Sequence, residues 1–396
     1  MIRKNEIVVA GHICLDIIPQ LESKPGVDLI EPGKLLRVGA AQISTGGTVS
    51  NVGIALRKLG ISVRLMGKVG DDLFGQAIIE RFRQIAPELP ERMLRAEGQT
   101  TSYTVVVNPP GRDRSFWHHP GTNDTYTASD VQTTDLIGAR LFHFGYPPLM
   151  ERMYADEGRE LVELFRMVKA AGLVTSLDMA YPDPDSPAGQ ADWPKILANV
   201  LPYVDIFLPS LDEILFMIDR PKFIALTQDG SDLEKQIDES LLRQISDSLI
   251  GWGAAIVGLK LGSRGFYLRT TAEKSRLPAI LGDADTWTDR EMISPCFKVN
   301  VRGTTGSGDC TIAGFLAAFV KMKNPEDTVN AAVGTGACNV EALDATSGIP
   351  DWETLQGRIK SGWSKHPLSS GFTDWRWNGK DQLARGHRDR GSMSAV

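Results

Sequence analysis

The sequence predicts an α/β protein: a doubly wound, mainly parallel sheet with helices on both faces. Three observations carry this expectation. Strand-length apolar runs alternate with helical patterns through most of residues 140–345, as a parallel sheet with helical crossovers demands. The chain enters a short, β-branched apolar run at 7–18, the signature of a buried strand. Two extended regions, 21–45 and 101–118, carry Pro and Gly punctuation and read as hairpin strands rather than helix.

The elements follow in order. After Gly46-Gly47-Thr48, apolar residues at 52, 55, 56 and 59 mark a helix that ends at Gly60, a C-cap residue. Residues 63–69 read as a strand and 73–85 as a second amphipathic helix. Residues 101–108 and 114–118 are extended and joined by Pro109-Pro110-Gly111, a hairpin. Strands are expected at 141–144, 173–178, 203–208 and 254–259, and helices at 158–171, from Ser210, at 308–322 and at 328–343. The polar stretches 219–240 and 271–295 look like surface insertions, and the tail from about Ser364, with Trp375 and Trp377, like a loosely attached extension.

Composition bounds the function. The 396 residues suffice for a large core. An apolar fraction of 42% and a charged fraction of 23% exclude wholesale disorder. With 43 Lys+Arg against 49 Asp+Glu the net charge is −6, which argues against a nucleic-acid partner. No apolar stretch is long enough for a membrane span. The first run is broken by Gly11, His12 and Asp16, unlike a signal peptide. Cys14, Cys296, Cys310 and Cys338 are scattered and read as reduced thiols, so a cytoplasmic location is expected.

The most informative segment is Val301-Arg302-Gly303-Thr304-Thr305-Gly306-Ser307-Gly308-Asp309-Cys310, leading into an apolar helical run. Its glycines let the backbone approach a bulky anion, and N–H groups at the helix start near 306–309 would point at phosphate oxygens. Asp309 would repel that anion, unless it takes a proton from a hydroxyl about to attack it. It also suits an N-terminal cap after a glycine turn, and spacing alone leaves both roles open. The segment is neither a Walker A loop nor a GxGxxG fingerprint.

At this point the sequence resembles the ribokinase-like (pfkB) carbohydrate kinase family, whose C-terminal signature is written DTTGAGD before a helix. Gly46-Gly47-Thr48-Val49-Ser50-Asn51-Val52-Gly53 is similar to its N-terminal signature, and Gly67-Lys68-Val69-Gly70-Asp71-Asp72-Leu73-Phe74-Gly75 to its G-x-V-G-x-D-x-F-G block. Gly11-His12-Ile13-Cys14-Leu15-Asp16 sits where the family places a substrate-binding Asp. The matches run in order from about residue 7 to 345.

The resemblance implies a ribokinase-like α/β domain with a small β lid, formed by 21–45 and 101–118. It sets a kinase domain at 1–363 and a polar C-terminal extension at 364–396. The implied activity is transfer of the ATP γ-phosphoryl to a hydroxyl of a small sugar, with Mg²⁺; a sugar phosphate or nucleoside acceptor, or a catalytically silent sugar-binding relative, are the alternatives. Carried over by motif position, Asp309 is the base and the N–H groups of Gly306, Ser307 and Gly308 form the anion hole. Asp16, Gly46, Gly47 and Asn51 hold the acceptor, and Gly262, Gly265 and Asn330 face the nucleotide. A homodimer joined through the lid is the implied assembly.

Two departures matter. The family's Asn-x-x-Glu reads Ser210-Leu211-Asp212-Glu213 here, so the Mg²⁺ role, through water, rests on Glu213; the same four residues also spell a capping box. Gly303 replaces the Asp that helps many members bind a monovalent cation, which puts potassium activation in doubt. Among other residues, His12 lies beside the acceptor position, and His118-His119 lacks a third ligand at metal spacing. Trp117 reads as lid packing. Arg112 and Arg114, with Lys34 and Arg37, are either solvated lid charges or a clamp for a charged acceptor.

Overall fold

The computed structural model describes residues 7–21, 32–33, 35–108, 115–228, 232–368, 370–372 and 374–392. The strands of the first half are β1 (Ile7–Gly11), β2 (Cys14–Pro19), β3 (Ala41–Gly46), β4 (Val63–Met66), β5 (Lys68–Gly70), β6 (Leu94–Ala96), β7 (Tyr103–Val107), β8 (Ser115–His119) and β9 (Leu141–Gly145). The remainder are β10 (Val174–Leu177), β11 (Ile206–Phe207), β12 (Ile256–Lys260), β13 (Phe266–Thr270), β14 (Glu291–Ser294), β15 (Arg376–Asn378) and β16 (Leu383–Arg385). The helices are α1 (Thr48–Lys58), α2 (Leu73–Ile85), α3 (Glu151–Tyr154), α4 (Arg159–Ala170), α5 (Trp193–Val200), α6 (Leu211–Ile218), α7 (Arg220–Thr227), α8 (Glu239–Trp252), α9 (Ser307–Val320), α10 (Pro325–Val340) and α11 (Trp352–Lys360).

Ten strands form one sheet in the order β15-β16-β14-β13-β12-β11-β10-β9-β1-β4. From β4 to β12 all neighbours are parallel; β13, β14, β16 and β15 extend the sheet antiparallel. Side chains alternate across a strand, so Ile7 and Val9 of β1 enter one core and Val8 and Ala10 the other. That is why β1 is apolar throughout: it is covered on both faces. Helices α1, α2, α9, α10 and α11 bury their apolar stripes on one face, and α4, α5, α6 and α8 on the other. The expected doubly wound α/β sheet is the one found.

The lid is a separate four-stranded sheet, β3-β2-β7-β8. Its register aligns Asp16 with Ser44 and Thr104, and Thr104 with His118, so one row of polar side chains crosses all four strands. The region 7–18, expected as one strand, is two strands in two sheets. The break falls at Gly11, whose φ of 119° and close approach to the Gly145 carbonyl exclude a side chain. Lys34, Arg112 and Arg114 lie outside the described residues.

Two other expectations change. Part of 271–295 is no surface insertion: β14 is buried at every position and sits inside the sheet. Its polar sequence is tolerated because Arg243 meets the Glu291 carboxylate with two hydrogen bonds, of 2.7 and 2.8 Å. The tail after Ser364 is not loosely held. It supplies β15 and β16, buries Trp375, Leu383 and Ala384, and brings Asp389, fully buried, to Arg290 at 2.6 Å.

Candidate active site

The C-terminal ends of parallel strands gather a set of buried polar residues, the usual place for ligands in open α/β sheets. Gly306 starts α9 in a left-handed turn, φ 71°; a Cβ there would come within 2.8 Å of Ala345. This turn sets Asp309 in the first turn of α9, with its carboxylate aimed inward rather than capping the helix. Asn51 Nδ2 donates to Asp309 Oδ2 at 2.9 Å. The Tyr146 hydroxyl donates to both carboxylate oxygens, at 2.8 and 2.9 Å. Burial raises the Asp309 pKa, and the Asn51 bond, Lys260 and the Tyr146 bond hold it back.

The glycine pair has a steric explanation. A Cβ on Gly46 would stand 2.5 Å from Asp16 Oδ2, and one on Gly47, φ 85°, the same distance from His12 Nδ1. Asp16 and His12 are thus packed directly against the start of α1, the helix that carries Asn51. Asp16 accepts a bond from Cys14 Sγ at 3.3 Å, and burial lifts its pKa to about 6. His118, on the lid, bonds Thr104 Oγ1 at 2.9 Å and reaches His12, Nε2 to Nε2, at 3.4 Å. The His12 ring lies 5.8 Å from that of Tyr146, so Asp16, the glycine pair, His12, Tyr146 and Asp309 form one continuous wall.

On the other side of Asp309, Lys260 ends β12, and its Nζ donates to Asp178 Oδ1 at 2.7 Å. Asp178 Oδ2 is buried with no partner among the described residues. Glu213 Oε2 accepts from the Ser210 N–H at 2.7 Å, closing the capping box. Burial pushes Asp178 and Glu213 upwards, opposed by Lys260; burial alone would lower Lys260, but these two acids carry it above its usual range. Lys260 Nζ lies 3.7 Å from where a Gly308 Cβ would stand, so its charge borders the turn at 306–308. Within that turn the Ser307 N–H already donates to the Thr304 carbonyl, at 3.2 Å, while Gly306 and Gly308 have no N–H acceptor among the described residues.

The remaining sequence candidates lie further along. Gly262 (φ 56°) and Gly265 (φ 106°) form the turn after β12. The Ser263 N–H there donates to both carboxylate oxygens of Glu234 at 3.2 Å. Cys296 Sγ contacts the Gly262 carbonyl at 3.5 Å. Asn330 donates to the Asp381 carbonyl at 3.0 Å and accepts from Lys365, so the tail holds it. Asp178, Lys260 and Tyr146 were not among the sequence candidates. The first two carried a signal: each is a charge ending an apolar strand run. Tyr146 carried none. Among the described residues no three His, Cys, Asp or Glu side chains group to hold a metal, and no helix is long and apolar enough to cross a membrane.

The chain is similar to known proteins in sequence and in fold. Fructokinase-2 of Oryza sativa subsp. japonica is 25% identical over 89% of this chain and 92% of its own, and the ribokinase of Staphylococcus aureus (strain COL) 24% over 87% and 97%. In three dimensions the chain is similar to Arabidopsis thaliana ribokinase complexed with ribose and ATP, with a TM-score of 0.68 at 20% identity, covering 89% of this chain and 98% of that one. Residues 4–352 match the pfkB family of carbohydrate kinases. A family model over most of the chain and a shared fold leave a single assignment: the chain belongs to the pfkB carbohydrate kinases, a family of ATP-dependent phosphotransferases.

Proposed function

We propose that this kinase phosphorylates a hydroxyl of a small neutral sugar, with Asp309 as general base. The observation that carries the reading is the Asp309 carboxylate, buried and held by Asn51 and Tyr146 in the first turn of α9. Its raised pKa suits proton removal better than an exposed Asp would. Asp16, Asn51 and the close backbone at Gly46 and Gly47 orient the acceptor, supported by the packing of Asp16 and His12 on that pair. The N–H groups at Gly306 and Gly308 and the Lys260 charge stabilise the transferring group; Ser307 joins them only by giving up its bond to Thr304. Gly262 and Gly265 accommodate the nucleotide, and Asn330 serves it only if the tail yields.

Neutrality of the acceptor is supported by the side chains around Asp16 and Asp309: Cys14, Thr104, Asn51, Tyr146, His12 and His118. Burial lowers both histidines, His118 to about 4, so neither carries charge near neutral pH. A phosphate in this pocket would find no cation among these six, and Lys260, on the other side of Asp309, is already paired with Asp178. A nucleoside acceptor is the outcome a broad panel would expose.

The donor set fits Mg²⁺. Hard cations take oxygen ligands and keep several waters, and the unpartnered Asp178 Oδ2 and the Glu213 carboxylate supply acidic oxygens. Glu213 would hold the ion through water, with Asp178 beside it. When bound, the ion supplies neutralisation of charge on the nucleotide phosphates. Exposed Ile43, Phe116 and Trp117, each at least half exposed on the lid, support pairing of two copies through the lid. The test of the function is ATP turnover across a panel of ketoses, aldoses, nucleosides and sugar phosphates. Turnover confined to phosphorylated sugars would overturn the neutral-acceptor reading.

A further inference from the structure

The Tyr146 hydroxyl makes two bonds, at 2.8 and 2.9 Å, to the two oxygens of the carboxylate that must receive the acceptor's proton. A hydroxyl donating to the base at hydrogen-bond distance is what general-base chemistry asks of a substrate. Asn51 occupies a further position on Oδ2. An acceptor hydroxyl therefore meets a carboxylate whose two oxygens already share the proton of a side chain of the same chemical type.

A second observation is independent of this contact. Tyr146 has φ 68° and ψ 41°, the left-handed region that a bulky residue rarely adopts. It also precedes Pro147, and the residue before a proline is ordinarily pushed toward extended backbone. A glycine would suit the position, yet a tyrosine is held there, and such strain gathers at working sites. The ring touches the His12 ring, which touches His118 on the lid, so the phenol stands between lid and base.

Resting on the reading of Asp309 as the base, we propose that Tyr146 is a positioning residue whose hydroxyl holds the acceptor hydroxyl's place on Asp309 until an acceptor displaces it. Two consequences follow. Acceptor binding works against the Tyr146–Asp309 bonds, so the phenol weakens apparent affinity without taking part in transfer. It also keeps water off the base, and so suppresses futile ATP hydrolysis.

The experiment uses the full chain, with D-fructose and D-ribose as acceptor probes and a parallel assay of ATP hydrolysis without acceptor. Tyr146→Phe is expected to lower the acceptor KM by about tenfold, the scale of a lost bond to a charged group. Tyr146→Gly, which suits the backbone, is expected to raise acceptor-free ATP hydrolysis by about tenfold, and adding Asp309→Asn should abolish that rise. A raised or unchanged KM in Tyr146→Phe together with unmoved hydrolysis in Tyr146→Gly would overturn the proposal, while wild-type sugar turnover left the functional reading standing. Asp309-dependent hydrolysis in Tyr146→Gly with no sugar turnover in wild type would uphold the proposal and refute the choice of acceptor.

Discussion

Asn51 and Asp309, 258 positions apart in the chain, meet through one hydrogen bond of 2.9 Å. The bond ties α1 to the first turn of α9. It makes the two signature segments of the sequence parts of one object: the glycine pair that opens α1 and the glycine turn that opens α9 are registered against each other through it.

Asp309→Asn is expected to lower kcat by at least about 10²-fold, the scale of a lost general base, and to leave ATP affinity nearly unchanged. Steady-state rates beside an ATP titration check this. Near-normal turnover would remove Asp309 from the chemistry.

The pH dependence follows from the same carboxylate. Its folded pKa is raised, so the protonated, inactive form persists above the ordinary Asp value of about 4. Activity should fall with decreasing pH through that raised value. Because the Asn51 bond favours the charged form, Asn51→Ala should move the acidic limb of kcat/KM to higher pH. A limb that stays in place, or moves down, would contradict the assignment.

Glu213→Gln should raise the Mg²⁺ concentration needed for half-maximal rate more than it raises the acceptor KM. Gln preserves the capping box with Ser210, so the helix start is kept and only the carboxylate charge is lost. An unchanged Mg²⁺ titration would leave Glu213 the capping role alone.

Potassium should matter little. At Gly303 a Cβ would lie 3.0 and 3.1 Å from the carbonyl oxygens of Ala342 and Leu343, and the position brings no side-chain oxygen of its own. Rates in potassium and tetramethylammonium buffers of equal ionic strength are expected to agree. A several-fold stimulation by potassium would mean that backbone carbonyls build a cation site unaided.

Asp389→Ala should cost about 3–5 kcal/mol of stability, the scale for removing one partner of a buried ion pair. Arg290 is 4% exposed and would lose its 2.6 Å partner. Urea denaturation measures it, and a change under about 1 kcal/mol would show that Glu326 alone suffices for Arg290.

The parallel half of the fold was legible because burial on both faces forces long apolar runs, as at β1 and β12, and because α2 shows a clean helical stripe. The antiparallel half was not. In β14 a buried Glu is made tolerable by Arg243, 48 positions away, and β16 is three residues long. The segment 7–18 misled because both of its strands are apolar; the turn between them rests on what lies near Gly11, not on local sequence. In the site, the glycine turn at 306–308 and Asp309 stand out from spacing, whereas Asn51, Asp16 and the glycine pair come with the family resemblance. Tyr146 does neither, since it looks like any aromatic before a proline until Asp309 is seen beside it.

The tail sets a schedule for folding. Arg290 and Asp389 are separated by 99 positions, and at the usual rate of synthesis, roughly 5–20 residues per second, the arginine waits about 5–20 s for its partner. Throughout that interval β14 has β13 on one side and an unpaired edge on the other, the kind of edge that templates aggregation. A ribosome paused late on this message would therefore display an almost complete sheet with an open seam. Released chains truncated before residue 383 are expected to bind chaperones and yield to protease, where chains extending past residue 389 do not.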